Sequence, residues 1–150
     1  MQISTILNAK RTRAKIAGGS KKRLIETLAG IFSESDTGLD QTELFQHIFA
    51  RERLGSTGIG GGIAIPHCRF KTEGATLCAC VTLEEAIDFD AVDSKPVDLI
   101  FAMLVPENAE DEHLQTLAAL AETLQRDDFV KRLRNCKTDE ELFNVASGVN

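Results

Sequence analysis

The chain has 150 residues, 43% of them apolar and 27% charged, with a formal net charge of −6. That length favours one domain with a full core, expected over residues 1–150. No apolar run approaches the roughly 18 residues of a membrane span, the N-terminus lacks the order of a signal peptide, and the acidic balance argues against nucleic acid as the main partner. A cytoplasmic address with no membrane insertion is the default expectation.

Charge is unevenly spread. Lys10, Arg11, Arg13, Lys15, Lys21, Lys22 and Arg23 all precede the first acid, Glu26, and the remainder of the chain is strongly acidic. This basic edge is either a solvated face or a docking surface for an acidic partner. Ser20 reads as the N-cap of a helix over 21–34, with Leu24, Ile25, Leu28, Ile31 and Phe32 on one face. Gly38-Leu39-Asp40 breaks it. Asp40 then caps a helix over 41–53, with Glu43 in capping-box position and Leu44, Phe45, Ile48 and Phe49 as its stripe. Arg51 falls at the border of that apolar face, where its stem can lie on the core and its head can reach a cleft.

A glycine-rich loop follows, "GSTGIGGG", and then a short strand over 63–65. Thr76–Leu83 alternates apolar and polar residues as a strand. A short strand is expected at Ile87–Phe89. The run Val97–Val105 does not alternate, so it reads as a central strand covered on both faces. Helices are expected near 112–126, 128–134 and 139–147. Strands interleaved with helices predict an α/β domain with helices on both faces of one sheet. The four cysteines make no C-x-x-C pair and read as buried free thiols, with Cys78 and Cys80 on one strand face and no metal site.

The glycine loop is not a nucleotide cradle. A dinucleotide fingerprint needs a strand before the loop and a helix after it, and here the order is reversed. No Gly-Lys-Ser/Thr occurs, so Walker A is absent too. Gly58, Gly60 and Gly62 fit better as a loop shaping a site: they permit positive φ, leave room for a partner, and carry N–H groups that can meet an anion. Of the three histidines, His47 lies off the stripe of its helix and reads as surface. His67 follows Pro66 at the end of a strand, where open α/β sheets present side chains to clefts. His113 stands at a helix start, where the dipole and three neighbouring acids pull its titration in opposite directions. Each histidine alone could be structural. Together with Arg51, His67 and His113 suggest metal-free phosphoryl chemistry: one imidazole as nucleophile, the other and the guanidinium holding phosphoryl oxygens.

At these residues the chain resembles a known family. "RERLGSTGIGGGIAIPH" is similar to the active-site segment of the IIA proteins of the bacterial phosphoenolpyruvate-dependent sugar phosphotransferase system, nearest the nitrogen-regulatory (Ntr) branch of the mannitol/fructose class. "FDAVDSKPVDLIFAMLVPENAEDEHLQTLAALAETL" resembles the family's second block. The resemblance implies a mixed, roughly five-stranded sheet sandwiched between helices. It implies that His67 accepts a phosphoryl group at Nε2 from an HPr-type histidine phosphocarrier. It also implies that His113 supports the phosphate and that Arg51 stands beside the site. No cofactor is expected. Two positions depart from the family. Gly61 stands where asparagine is common, so any contact from that side chain is lost. Cys68 stands where a glycine usually follows the histidine; it would be strained if φ is positive there, and could crowd the donor or be oxidised.

Three functions follow. One is a regulatory phosphocarrier whose phosphorylation controls binding to a sensor kinase, transporter or enzyme. The alternative is a sugar-transport component passing the group to a IIB domain of a fructose/mannitol-type permease. The third is a binding-only relative with a decayed site, suggested by Cys68 alone.

Overall fold

The computed structural model describes residues 3–35, 38–109 and 111–148, with the side chains of residues 111–113 excepted. A 3-10 turn at Ile3–Thr5 leads into β1 (Leu7–Ile16), then α1 (Lys21–Ser35) and α2 (Gln41–Leu54). Three short strands follow, β2 (Gly58–Gly60), β3 (Ile63–Ala64) and β4 (His67–Phe70). Two long strands, β5 (Leu77–Ile87) and β6 (Val97–Pro106), precede α3 (Asp111–Thr123), α4 (Asp127–Asn135) and α5 (Asp139–Ser147). Among the described residues the strands form one six-stranded mixed sheet in the order β1-β5-β6-β3-β2, with β4 also beside β6. β1 runs parallel to β5, β5 antiparallel to β6, and β3 and β4 parallel to β6. No helix among the described residues is long and apolar enough to cross a membrane.

β6 lacks alternation because both of its faces are covered. Ile100, Ala102 and Leu104 pack under Leu24, Ile25, Leu28 and Phe32 of α1 and Leu44 and Ile48 of α2. Leu99, Phe101, Met103 and Val105 pack under Leu120 and Leu124 near α3, Phe129 and Leu133 of α4, and Leu142 of α5. Each buried Leu, Ile, Val, Phe or Met among these contributes about 1.5–3 kcal/mol of transfer free energy. The helices lie close to their expected bounds. Ser20 Oγ accepts the Arg23 N–H at 3.1 Å, and Asp40 Oδ1 accepts the Thr42 N–H at 3.1 Å. Glu43, expected to close a capping box, pairs with Lys71 at 3.1 Å.

Two strand assignments change. The strand expected at Ile87–Phe89 is the end of β5, where Ile87 pairs with Val97. More substantially, Lys21, Lys22 and Arg23 of the basic edge open α1, while its first four residues, Lys10, Arg11, Arg13 and Lys15, lie in β1, an edge strand. Two register shifts, between Leu7 and Thr12 and between Arg13 and Ile16, break its period and hide it from an alternation pattern. Three of its amides are occupied by side chains. Asn8 Oδ1 accepts from Arg11 N (3.1 Å), Asp139 Oδ1 from Ala14 N (2.7 Å), and Thr82 Oγ1 from Lys15 N (2.8 Å). Bulges, lysines and occupied amides blunt an edge against pairing with another chain. Arg11 is not part of a solvated face. It is buried, and donates from Nε to Cys78 O (2.9 Å) and from Nη2 to Ile6 O (3.0 Å), tying the chain's start to β5.

Candidate functional site

β3 and β4 are two pieces of one line along β6. Ile63 lies opposite Leu99 and His67 opposite Met103, so the register is unchanged across the gap. The gap is Ile65-Pro66. Proline has no N–H to give the ladder, although Pro66 O still accepts from Met103 N at 2.9 Å. His67 therefore opens β4 rather than ending a strand, as the sequence suggested. β2 pairs only with β3, so it does not extend alongside His67.

Among the described residues the half-buried His67 ring is held by one bond, between Nδ1 and Ile65 O at 2.7 Å. A carbonyl oxygen can only accept, so Nδ1 carries the proton and the lone pair of the neutral ring is on Nε2. Burial pushes the titration of His67 below its ordinary value of 6.5. The Ile65 carbonyl opposes this, the Arg51 charge adds to it and Glu52 opposes it. The balance favours a neutral ring, which is the nucleophilic form.

Arg51 stands in the last turn of α2, half-buried, with Nη1 donating to Gly55 O at 3.0 Å. The next residue is one that the sequence reading missed. Glu52 is 4% exposed, accepts from Thr57 N (2.8 Å) and Thr57 Oγ1 (2.7 Å), and pairs with Lys21 Nζ at 3.1 Å. A signal was present. Leu44, Ile48 and Glu52 recur every fourth residue and are all buried in α2, so a carboxylate occupies the next position of an apolar stripe. His113 lies in the first turn of α3, and its side chain is outside the described residues. The loop before α3 is tied to β4, because Arg69 Nη1 donates to Ala109 O at 3.1 Å.

Gly60 and Gly62, expected to shape the approach to His67, turn the β2–β3 hairpin at the other end of β3. His67 is five residue steps along extended chain from Gly62, or about 16 Å at 3.3 Å per residue. Gly60, Gly61 and Gly62 all have positive φ, at 99°, 68° and 79°. The Gly61 N–H is not free for an anion: Asp93 Oδ2 accepts it at 3.0 Å, and Arg134 Nη2 donates to Gly61 O at 2.7 Å. Gly58 is required by close approach, since a Cβ there would lie 2.7 Å from Ala91 Cβ. The segment nearer the histidine is the turn 55–57, whose Thr57 O accepts from Ile65 N at 3.0 Å.

Cys68 is neither strained nor facing a partner. It is not among the residues with positive φ, and its side chain lies in the core under α1 and α2. Burial pushes its thiol up to about 12. All four cysteines are free and buried. A thiol reagent such as DTNB should therefore label the native protein slowly and report all four only after denaturation; rapid native labelling at Cys68 would contradict this packing.

The fold and site define a class: an α/β sandwich presenting one neutral imidazole at a break in a strand. The profile described as phosphoenolpyruvate-dependent sugar phosphotransferase system, EIIA 2, matches residues 5–147. A nitrogen regulatory protein from Pseudomonas aeruginosa is 42% identical over 149 residues, covering 99% of this chain and 97% of that one. A nitrogen regulatory protein from Escherichia coli is 43% identical over 148 residues, covering 97% and 89%. The crystal structure of nitrogen regulatory protein IIA-Ntr from Neisseria meningitidis matches with a TM-score of 0.86 at 39% identity, covering 96% of this chain and 98% of that one. The chain belongs to the EIIA 2 family of the phosphoenolpyruvate-dependent sugar phosphotransferase system, with the phosphocarrier and regulatory role of a IIA protein.

Proposed function

We propose that His67 accepts a phosphoryl group on Nε2 from an HPr-type histidine phosphocarrier, and that the two states of the chain bind different target proteins. The observation that carries this reading is the Nδ1–Ile65 bond, which leaves the lone pair on Nε2. Attack by that lone pair forms one P–N bond as the carrier's P–N bond breaks, and the carrier's imidazole leaves. Arg51 is the nearby cation for the phosphoryl oxygens, and His113 of α3 is proposed as their second support. The phosphorylated ring gains about −1.5 to −2 charges by analogy with other phosphoryl groups, enough to change which surfaces it accepts.

Two exposed apolar side chains fit a protein partner. Leu54, 86% exposed, ends α2 beside the 55–57 turn, and Val92, 80% exposed, lies on the loop whose amide bonds Gly58 O. The nitrogen-regulatory names of the full-length relatives favour regulation over sugar transport as the output. The test is phosphotransfer from the carrier cascade with the label mapped by mass spectrometry. The native chain should take one acid-labile, base-stable phosphoryl group at His67, and His67→Ala should take none. Equal labelling of that variant rules the assignment out. Pull-downs with both states should recover different partners, and identical sets rule out the switch.

A further inference from the structure

Glu52 has no role in the chemistry described so far, yet it is a carboxylate buried almost completely in the last turn of α2. Burying such a group is unfavourable unless its oxygens are fully served. Here they are served by two kinds of partner. Lys21 Nζ, at the start of α1, supplies the countercharge at 3.1 Å. Thr57 supplies both of its donors, N–H to Oε1 at 2.8 Å and Oγ1–H to Oε2 at 2.7 Å.

These bonds continue to the histidine. Thr57 O accepts from Ile65 N at 3.0 Å, and the carbonyl of the same Ile65 accepts the Nδ1 proton of His67 at 2.7 Å. Residue 65 lies beside Pro66, in the gap between β3 and β4, where the ladder along β6 is interrupted. Thr57 is thus the anchor on the side away from β6, and Glu52 holds Thr57 at two points.

We infer that Glu52 is a positioning residue for the phosphoryl acceptor, acting through Thr57 and the Ile65 carbonyl to keep the His67 proton on Nδ1 and the lone pair on Nε2. It does not touch the reacting atoms. An ion pair with Lys21 alone would join α1 to α2 without engaging Thr57, so the paired Thr57 bonds are what points beyond a structural tie. The inference rests on His67 as the acceptor, but its tautomer can be read without any phosphoryl transfer.

The experiment uses the full chain with uniformly 15N-labelled histidine. Long-range 1H–15N NMR reads the His67 tautomer, and transfer from the carrier protein reads the rate. Glu52→Leu removes both acceptor oxygens, so neither Thr57 donor is served. Thr57→Val removes the hydroxyl and leaves the amide. In folded protein both should shift neutral His67 toward the Nε2–H form and slow acceptance by about 10- to 100-fold, the scale on which partners behind a functional histidine act. Thr57→Ser, which restores the hydroxyl, should recover both readouts. Should Glu52→Leu fail to fold, the Thr57→Val and Thr57→Ser pair decides alone. An unchanged tautomer and rate in folded Thr57→Val or Glu52→Leu overturns the inference, as does loss of rate in Thr57→Ser equal to that in Thr57→Val. If the native chain accepts no phosphoryl group, the proposed function fails, and the tautomer readout still judges Glu52.

Discussion

His67 should titrate below pH 6.5 in the folded protein, and phosphoryl acceptance should decline only as pH passes that lower midpoint. An unperturbed imidazole would be only about one-tenth neutral at pH 5.5, costing roughly tenfold in reactive form. His67 escapes part of that loss because burial disfavours its charged form and Arg51 adds to the effect. The Ile65 carbonyl and Glu52 oppose the shift without reversing it. The same displacement links stability to pH. Below 6.5 the unfolded chain takes up the proton before the folded chain does. The contribution of neutral, buried His67 is therefore fully present above pH 6.5 and is lost as pH falls through the folded midpoint. NMR titration of the His67 ring protons, assigned by their absence in His67→Gln, measures the midpoint directly. The stability difference between pH 7 and pH 5 should be smaller in that variant. A midpoint at or above 6.5 would contradict the burial described for this ring.

Gly58→Ala should destabilise the protein by about 1–3 kcal/mol, the usual cost of forcing atoms into a filled space. The new Cβ would stand 2.7 Å from Ala91 Cβ and 2.9 Å from Ala91 Cα, and backbone cannot swing aside as a side-chain tip can. The contact also joins β2 to the loop before β6, where Val92 N bonds Gly58 O at 3.2 Å. Gly61→Asn should behave differently. Its φ of 68° lies where asparagine is tolerated, and a Cβ there meets nothing within 4 Å. Its cost should stay within about 1 kcal/mol, like that of most exposed substitutions. Urea unfolding at unchanged m-value separates the two. Equal shifts in midpoint would mean that space at Gly58 is not the constraint. Gly61 is the one glycine of the three in the turn with open space around its Cβ.

The helices were legible because their signals are local. Ser20 and Asp40 cap, and apolar residues recur every three or four positions, so α1 and α2 need no knowledge of the rest of the chain. The central place of β6 was legible for a related reason, since a strand covered on both faces carries apolar residues on both. β1 was not, because its bulges and charges only make sense once β5, Thr82 and Asp139 are beside it. The motif Pro66-His67 marked the imidazole, and a family resemblance supplied its proposed role.

What the amino-acid sequence determined by itself was therefore the α/β class, the helix faces and the Pro66-His67 motif that marks the proposed acceptor. Each depends on neighbours within a few positions. Only the tertiary structure gave the physical reason why the His67 proton sits on Nδ1 and the lone pair on Nε2, because that follows from the direction of one carbonyl. It alone turned Cys68 into the core, because strand parity places consecutive side chains on opposite faces. It alone brought Lys21, Glu52 and Thr57 together behind the site, because a buried carboxylate is stable only where the fold assembles partners for both of its oxygens.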